Sequence, residues 1–547
     1  MNNKTTIISG NIIDIINKKI FKGEIIIVNN KISKITEKEV NDNTYILPGL
    51  IDAHIHIESS MLLPSEFAKV AALHGTVATI SDPHEIANVL GTNGVLFMIN
   101  NGKSVPFKFY FGAPSCVPAT TFETSGYSIT AEEIEKLLKM DDILYLSEMM
   151  NFPGVIFKDK EIIAKLALAK KYNKPVDGHA PGLIGENADI YINSGITTDH
   201  ECFDYNEAEE KILKGMKILI REGSAAKNFD SLFPLIDKYP DNVMLCSDDK
   251  HPDDLIKGHI NLLIKKALDK NLDLFNILRA CTLNPVRHYG LDTGLLQEGD
   301  SADLIIIDNL KNFNILSTYI NGELVADKGK SLIQTSINEI PNNFNCKKIK
   351  LNDIEIKAES QIINCIEVIE GQLITKALQV KALITDNKVI SDIQNDILKI
   401  IVLNRYKPAK PAIAFIKNFG IKQGAIASAV AHDSHNIIAV GASDSDLIKV
   451  INLLIENKGG IAYIDNSTQL ILPLKVGGIM STDNAYLVAE KYKAIEQKAK
   501  EAGSKLKAPL MTLSFMALLV IPELKLSDKG LFDTNKFTLT NLFIKNN

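Results

Sequence analysis

The stretch Leu47-Pro48-Gly49-Leu50-Ile51-Asp52-Ala53-His54-Ile55-His56 joins a Pro-Gly turn to an apolar strand that ends in two histidines. Side chains alternate between the two faces of a strand, so His54 and His56 are expected to point to the same side. Two imidazoles side by side at the polar end of a buried strand suit a divalent transition metal. The triplet alone is also compatible with two ordinary hydrogen-bonded histidines. The choice between these two interpretations therefore depends on the flanking sequence.

The chain from about residue 46 to 295 alternates apolar strand-like runs with segments of helical periodicity, such as 131–140 and 160–172. The eight runs are 50–56, 76–81, 107–112, 143–148, 175–179, 197–200, 217–221 and 243–247. Eight strand–helix repeats over about 250 residues predict an α/β fold, a (β/α)8 barrel. An open, doubly wound sheet is the alternative, but no Gly-x-Gly-x-x-Gly motif follows the first run.

Polar residues stand at the carboxyl end of nearly every run. They are His54, His56, Asp82, Ser115, Glu148, His179, His200, Arg221 and Asp248. In a (β/α)8 barrel the carboxyl ends of the strands carry the functional groups. The repeated pattern therefore predicts one active site, built from many strands, at this end of the barrel.

We select six of these residues as candidate metal ligands. They are His54, His56, Glu148, His179, His200 and Asp248. Two divalent ions need about this many protein ligands if a carboxylate and a solvent molecule bridge them. We predict that Glu148 is the bridge, with His54, His56 and Asp248 on one ion and His179 and His200 on the other. Mixed histidine and carboxylate ligation suits Mn, Fe, Zn or Co and does not choose among them.

Two of the carboxylates have structural alternatives. Glu148 could be a charge on a surface loop, and Asp248 could cap the N-terminus of a helix. Asp249 is the more natural cap, but the two neighbours leave an ambiguity of one position.

The flanks of the barrel region predict two further domains. Residues 1–45 contain short strands separated by turn signals, and a similar pattern returns within 302–325. We predict a small composite β-sandwich domain from 1–45 and 296–345, with the barrel (46–295) inserted into it. After a Lys- and Asn-rich linker, residues 350–547 predict a separate α+β domain.

Composition and charge limit the binding partners and the cellular compartment that we expect. The 547 residues carry a net charge of −6 and no long basic run, so neither nucleic acid nor an anionic membrane is an expected partner. The six cysteines include no Cys-x-x-Cys pair, which suits reduced thiols in a cytoplasm. The N-terminus lacks an apolar signal core. We expect a cytoplasmic protein.

Several motifs resemble those of the amidohydrolase superfamily. Besides the His-x-His strand, they include Thr-Leu-Asn-Pro-Val-Arg at 282–287 and Glu-Gly-Asp-Ser-Ala-Asp-Leu at 298–304. Dihydroorotase- and hydantoinase-like relatives bridge their metals with a carbamylated lysine, and Glu148 stands at the corresponding position here. A glutamate is already a carboxylate, so no carbamylation is needed.

Other motifs are similar to those of the bacterial-type adenine deaminases. They are Ser-Asp-Pro-His-Glu-Ile-Ala-Asn-Val at 81–89, Glu-Met-Met-Asn-Phe-Pro-Gly at 148–154 and Asp-Gly-His-Ala-Pro at 177–181. Residues 511–515 and 520–526 also resemble the extra C-terminal domain of that family. The resemblance spans essentially the whole chain, with no departure at the metal-type positions.

The resemblance implies hydrolytic deamination of adenine to hypoxanthine and ammonia, in purine salvage. It implies two divalent ions per chain, with Mn or Fe preferred over Zn, and a bridging hydroxide that attacks C6. Asp248 would carry the proton, and Glu201, His84 or Glu85 would protonate a ring nitrogen. The expected small-molecule partners are adenine and water, and we also expect a homo-oligomer, a dimer.

Substrate contacts are less well defined by the sequence. Asp82 and His84 are predicted to line the pocket, and Arg221, Glu222 and Ser224 to contact the purine edge. A rim salt bridge and a helix cap explain the last three equally well. A second motif, His432-Asp433-Ser434-His435, could bind another metal, contribute to the active site or be an ordinary loop. The alternative functions are an amidohydrolase acting on a cyclic amide and a non-catalytic barrel scaffold.

Overall fold

The computed structural model describes residues 5–224, 226–337 and 339–544. The N-terminal segment forms four strands: β1 (Thr5–Asp14), β2 (Lys19–Val28), β3 (Lys31–Glu37) and β4 (Tyr45–Pro48). The turn from β2 to β3 places Asn29 at φ +59°, a left-handed conformation that asparagine tolerates well. The turn lets β3 fold back and pair with β2. The other edge of β2 pairs with β1.

Eight parallel strands follow, and they match the eight predicted runs. They are β5 (Leu50–Ile55), β6 (Thr76–Ser81), β7 (Lys108–Ala113), β8 (Ile143–Met149), β9 (Val176–Gly178), β10 (Thr198–Asp199), β11 (Lys217–Arg221) and β12 (Val243–Cys246). Neighbouring strands pair in sequence order within β5–β9 and within β10–β12. The backbone N–H of Thr197 donates to Val176 at 2.9 Å, and that of Asp248 to His54 at 2.9 Å, which closes the ring. The predicted (β/α)8 barrel is confirmed.

The chain between and after these strands is helical. The helices are α1 (Pro64–Leu73), α2 (His84–Leu90), α3 (Thr92–Gly102), α4 (Ala131–Leu138), α5 (Phe152–Ile156), α6 (Lys160–Lys171), α7 (Gly185–Asn193), α8 (Tyr205–Leu213), α9 (Phe229–Leu232), α10 (Pro234–Lys238), α11 (Pro252–Leu255), α12 (Ile260–Asp269), α13 (Leu274–Ala280) and α14 (Leu283–Tyr289). Side-chain caps begin several of them: Asp159 accepts backbone hydrogen bonds at the start of α6, and Asp204 does so for α8. Ile264 of α12 and Ile277 of α13 share one buried cluster with Leu245 of β12, which fixes these helices on the barrel.

The strands after the barrel join the sheet that began before it. They are β13 (Leu304–Ile307), β14 (Ile315–Ile320), β15 (Glu323–Asp327) and β16 (Lys330–Ser331), and the sheet order is β16-β15-β14-β13-β4-β1-β2-β3. Leu304 pairs with Pro48, and Ile306 with Ile46, in an antiparallel register. One sheet is thus assembled from both flanks of the barrel. The exact domain boundaries stay a prediction.

The chain divides into two compact units. Unit 1 covers the described residues of Met1–Pro83, Leu96–Cys116 and Thr130–Ile337, and unit 2 those of His84–Val95, Val117–Ile129 and Asn338–Asn547. Unit 2 therefore includes two short segments that precede the C-terminal region in sequence.

Most of unit 2 is formed by the C-terminal region. Its strands are β17 (Ile356–Lys357), β18 (Ile362–Val368), β19 (Thr375–Lys381), β20 (Leu383–Thr385), β21 (Lys388–Ile390), β22 (Ile397–Leu403), β23 (Ala412–Lys417), β24 (Ala425–Ser428), β25 (Ile437–Gly441), β26 (Ile461–Ile464), β27 (Gln469–Leu472), β28 (Leu524–Ser527), β29 (Gly530–Asp533) and β30 (Thr538–Leu539). Its helices are α15 (Leu351–Ile354), α16 (Asp444–Asn457), α17 (Ala485–Glu501) and α18 (Pro509–Phe515). An eight-stranded sheet in the order β19-β18-β23-β22-β25-β24-β26-β27 forms its centre, and α16 packs on it through Leu447 and Ile451.

None of the helices in the described ranges is long and apolar enough to cross a membrane.

Candidate active site

The two histidines of β5 lie side by side with Asp248, as strand alternation predicts. The Nε2 atoms of His54 and His56 are 3.3 Å apart. The Oδ1 atom of Asp248 lies 3.7 Å from the first and 3.3 Å from the second. All three side chains are buried. A histidine pair and a carboxylate therefore converge on one point at the carboxyl end of the barrel.

Glu148, at the end of β8, links this group to a second one. Its Oε1 lies 3.4 Å from Nε2 of His56. Its Oε2 lies 3.0 Å from Nδ1 of His179 and 3.2 Å from Nε2 of His200. Each oxygen of one carboxylate thus faces a different set of histidines, so Glu148 is a buried strand-end carboxylate and not a surface loop charge.

The spacing of these atoms fits metal coordination. Ligand atoms about 2.1 Å from a tetrahedral ion lie about 3.4 Å from one another, and the edge is shorter for an octahedral ion. The separations are 3.3–3.7 Å around His56 and 3.0–3.2 Å around Oε2 of Glu148. The Nδ1 atom of His54 is buried without a hydrogen-bond partner among the described residues, which leaves its Nε2 as the atom directed at the other donors. The donor set fits divalent ions.

The charge state of the cluster also favours cations. Burial opposes ionisation of Asp248, but Arg221 outweighs it and holds the pKa of Asp248 well below its usual range. Burial also opposes ionisation of Glu148, but His179 and His200 keep the pKa of Glu148 well below its usual value. Burial would lower the pKa of His179, but Glu201 and Glu148 raise it to about 9. Ionised carboxylates that attract protons to their neighbours will attract metal ions in the same way.

Arg221, at the end of β11, is bound by carboxylates. Its Nη2 donates to Oε2 of Glu201 at 2.8 Å, and its Nη1 contacts both Glu201 and Asp248. The guanidinium is buried. Oε1 of Glu201 lies 3.6 Å from both His179 and His200. We call the six predicted metal ligands the ligand cluster: His54, His56, Glu148, His179, His200 and Asp248. Arg221 thus orients Asp248 within this cluster and Glu201 beside it.

The backbone of Asp248 has a left-handed conformation at φ +52°. This conformation is uncommon outside glycine, although aspartate tolerates it better than most residues, and it recurs at functional sites. The hydrogen bond from its N–H to His54 holds the turn against β5. The side chain is thereby fixed towards the histidines, and among the described residues no backbone N–H donates to it as a helix N-cap would require.

Asp82 contributes through its backbone. Its carbonyl oxygen lies 3.1 Å from Nδ1 of His56. A carbonyl at Nδ1 fixes the tautomer that leaves Nε2 free of hydrogen, as metal-binding histidines require.

Asp52 holds the histidine-bearing strand β5 against the chain that follows β12, and our sequence analysis missed it. It accepts from the N–H of Ser247 at 3.0 Å and lies 2.8 Å from Nε2 of His259. Asp52 shares the strand face of His54 and His56, so the same alternation could have predicted its inward orientation. These contacts tie β5 to the residue immediately before Asp248.

Lys211, on α8, joins the turns that carry the later histidines. Its Nζ donates to the carbonyl of Ala180 at 2.8 Å and to Asp199 and Glu207 at 2.6 and 2.7 Å. Ala180 follows His179 and Asp199 precedes His200, so one buried ammonium supports the turns of both histidines. No sequence motif signals this lysine.

Glu222 and Ser224 form the kinds of contact that were the alternatives to purine binding, a rim salt bridge and a contact near a helix start. Glu222 accepts from Lys266 at 3.0 Å. The Ser224 hydroxyl donates to Asp254 at 2.8 Å and accepts from the N–H of His251 at 3.0 Å, just before α11. No contact joins either residue to the ligand cluster among the described residues, and their predicted purine contacts stay predictions.

The His432-Asp433-Ser434-His435 motif is part of a buried cluster within unit 2. His432 and His435 each contact a different oxygen of Glu85. His84 lies 3.7 Å from Glu85, and the ring of His432 stacks on Phe515. Burial opposes ionisation of Glu85, but His432 and His435 keep its pKa well below the usual range. The motif is therefore not an ordinary exposed loop.

The buried side chains of His84, Glu85 and Asp433 place possible ligand atoms within 4.8 Å of one another, so a metal at this cluster stays a prediction. The tautomer of His435 keeps this histidine out of such a site. Burial lowers the pKa of His435 to about 4, so its ring is neutral. Its Nδ1 accepts from the N–H of Ala431 at 3.2 Å. The hydrogen must then be on Nε2, which donates it to Glu85 and cannot bind a cation.

Comparison with known proteins agrees with this geometry. The sequence model described as "Amidohydrolase family" matches residues 45–325, and "Adenine deaminase C-terminal domain" matches residues 372–538. A protein named adenine deaminase from Methanosarcina mazei is 53% identical over 98% of this chain and 99% of its own length. Those of Sulfurovum sp. and Borreliella burgdorferi are each 52% identical, over 96% and 97% of this chain and 98% of their own lengths. The chain belongs to the adenine deaminase family of metal-dependent amidohydrolases.

Proposed function

We propose that this protein catalyses the hydrolytic deamination of adenine to hypoxanthine and ammonia. The supporting observation is the position of Glu148, whose two oxygens face separate groups of histidines. We assign two divalent ions to the site, Mn or Fe in preference to Zn. Their ligands would be His54, His56, Glu148, His179, His200 and Asp248. When bound, the ions supply an activated water molecule as the nucleophile.

Asp248 is the proton carrier in this proposal. Water adds to C6 of adenine, and the carboxylate of Asp248 takes a proton and passes it to the departing amine. Arg221 keeps that carboxylate ionised, as a proton acceptor requires. The reaction balances: adenine and one water molecule give hypoxanthine, which carries the new oxygen on C6, and ammonia.

Glu201 has a supporting role. Both of its oxygens are engaged by Arg221, so it positions the guanidinium that orients Asp248. This engagement makes Glu201 a poor donor to the purine ring. His84 and Glu85, the other predicted ring-nitrogen donors, stay predictions.

An amidohydrolase acting on a cyclic amide is the second candidate. The barrel ligands would serve it equally well, but it leaves the glutamate at 148 and the matched C-terminal domain unexplained. A non-catalytic scaffold would have no need of the complete convergent ligand set.

The test compares ammonia release by the Mn- or Fe-loaded protein from adenine with hydrolysis of dihydroorotate and hydantoin. We expect release from adenine and no turnover of the cyclic amides. Turnover of a cyclic amide without release from adenine would favour the second candidate. Less than one metal equivalent per chain after reconstitution would favour the scaffold.

A further inference from the structure

A small pocket in unit 1 is lined by an excess of positive charge. Its volume is about 170 Å³, and its charged lining residues are Lys227, Lys250, Lys257, Lys266, Glu222 and Asp254. Four ammonium groups against two carboxylates give the lining a net charge of about +2 at neutral pH. The pocket lies just beyond the ends of β11 and β12, at the end of the barrel that carries the ligand cluster.

Two of the four lysines are neutralised by ion pairs. Lys266 binds Glu222 at 3.0 Å and Asp230 at 2.9 Å. Lys257 binds Asp254 at 2.7 Å and Asp253 at 3.4 Å. The carboxylates of the pocket are thus already engaged.

Lys250 and Lys227 have no comparable partner. Lys250 is 6% exposed, and its Nζ makes one long contact of 3.4 Å, to the carbonyl oxygen of Glu222. Neither lysine forms an ion pair with any residue in 5–224, 226–337 or 339–544. Burying an ammonium group without a paired anion is unfavourable. An anion that enters this pocket would therefore stabilise the buried charge of Lys250.

The pocket is large enough to hold a phosphate group. Its volume of about 170 Å³ is well above the roughly 10–15 Å³ that one water molecule needs on the same measure. Lysine ammonium groups bind phosphate as point charges. They do not need the planar, two-point geometry with which arginine binds carboxylates.

We propose that this pocket binds a phosphate group, with Lys250 and Lys227 as its principal contacts. The phosphate is either the free ion or the phosphate of an adenine nucleotide. The pocket is distinct from the metal ligands, and binding is measured directly, so the proposal stands apart from the deamination reaction.

The test is isothermal titration calorimetry of the metal-loaded protein with inorganic phosphate. We expect Lys250→Met and Lys227→Met each to weaken phosphate binding at least tenfold. Lys250→Arg, which keeps the charge, should retain it. Lys238→Met is the matched control, because Lys238 is an exposed lysine paired with Glu209 outside the pocket. Lys227 is itself exposed, so its variant remains informative if Lys250→Met does not fold.

Adenosine 5′-monophosphate and adenosine form the second arm. Lys250-dependent binding of the nucleotide that is much tighter than that of phosphate identifies the nucleotide as the source. Equal binding of nucleotide and phosphate identifies the free ion. No binding of either ligand, or binding that is equally strong in both lysine variants, would overturn the proposal, since an anion held only by the metal ions would not depend on these lysines.

Discussion

The Nε2 atoms of His54 and His56 face one another at 3.3 Å in the buried end of the barrel. Burial opposes protonation of His56, but Asp248 and Glu148, which are directed at the same place, hold its pKa well above the usual value, so this place favours positive charge. A cation is the simplest group that satisfies all four side chains together.

Glu148→Gln should lower the metal content by at least one equivalent per chain. The amide loses the negative charge and places an NH₂ group where one of the bridging oxygens stood. Elemental analysis after reconstitution measures the loss, with Glu132→Gln, at an exposed position, as control. Unchanged metal content and activity would show that Glu148 is not a bridge.

Asp248→Asn should reduce kcat by about 10²- to 10⁴-fold, the usual contribution of general acid–base catalysis, while most of the metal stays bound. The asparagine keeps the shape and one coordinating oxygen but cannot accept the proton. Steady-state assays and metal analysis are made on the same samples, with Asp230→Asn as the surface control. A kcat close to that of the wild type would remove Asp248 from proton transfer.

Lys211→Met should destabilise unit 1 by about 3–5 kcal/mol, because it leaves the buried carboxylates Asp199 and Glu207 without their cation. The turns holding His179 and His200 lose their support, so metal affinity should fall as well. Denaturant unfolding and metal titration test both effects. Lys214→Met, at a more exposed position on the same side of the barrel, should change neither; equal behaviour of the two variants would refute the supporting role.

Glu123→Gln should stabilise the protein increasingly as the pH rises from 5 to 8. Burial, together with the nearby Asp433, raises the pKa of Glu123 from 4.5 to about 8. The folded chain therefore binds more protons than the unfolded chain between these values, and its stability falls as the pH rises through this window. Glutamine removes a slope of about 1 kcal/mol per pH unit.

Thermal unfolding at several pH values measures this effect. The control variant is Glu132→Gln, which removes one negative charge at an exposed position. A difference in Tm between Glu123→Gln and the wild type that does not change with pH would contradict the assignment.

The barrel could be predicted from the sequence because its signal is local and repeated. Each strand is an apolar run ending in a polar residue, and even β10, only two residues long, was found because His200 follows it. The six metal-type residues were selected for the same reason, and their role as ligands stays a prediction.

The supporting contacts could not be predicted, because they depend on distant segments meeting. Glu85 and His432 are 347 positions apart in sequence, and nothing local to either indicates the other. Lys211 has the sequence environment of any helical surface lysine, yet its side chain is only 1% exposed. Our interpretation of Glu222 and Ser224 as purine contacts rested on their position after a strand, which does not reveal their contacts with Lys266 and Asp254. The purine contacts stay predictions.

The central claim is that the six ligands hold two divalent ions bridged by Glu148. The direct measurement is a titration of the metal-free protein with Mn(II), following bound metal and ammonia release from adenine in the same samples. We predict that activity rises until two ions are bound per chain, and that Glu148→Gln does not reach this plateau. Full activity at one ion per chain, or no ammonia release with two bound, would contradict the account.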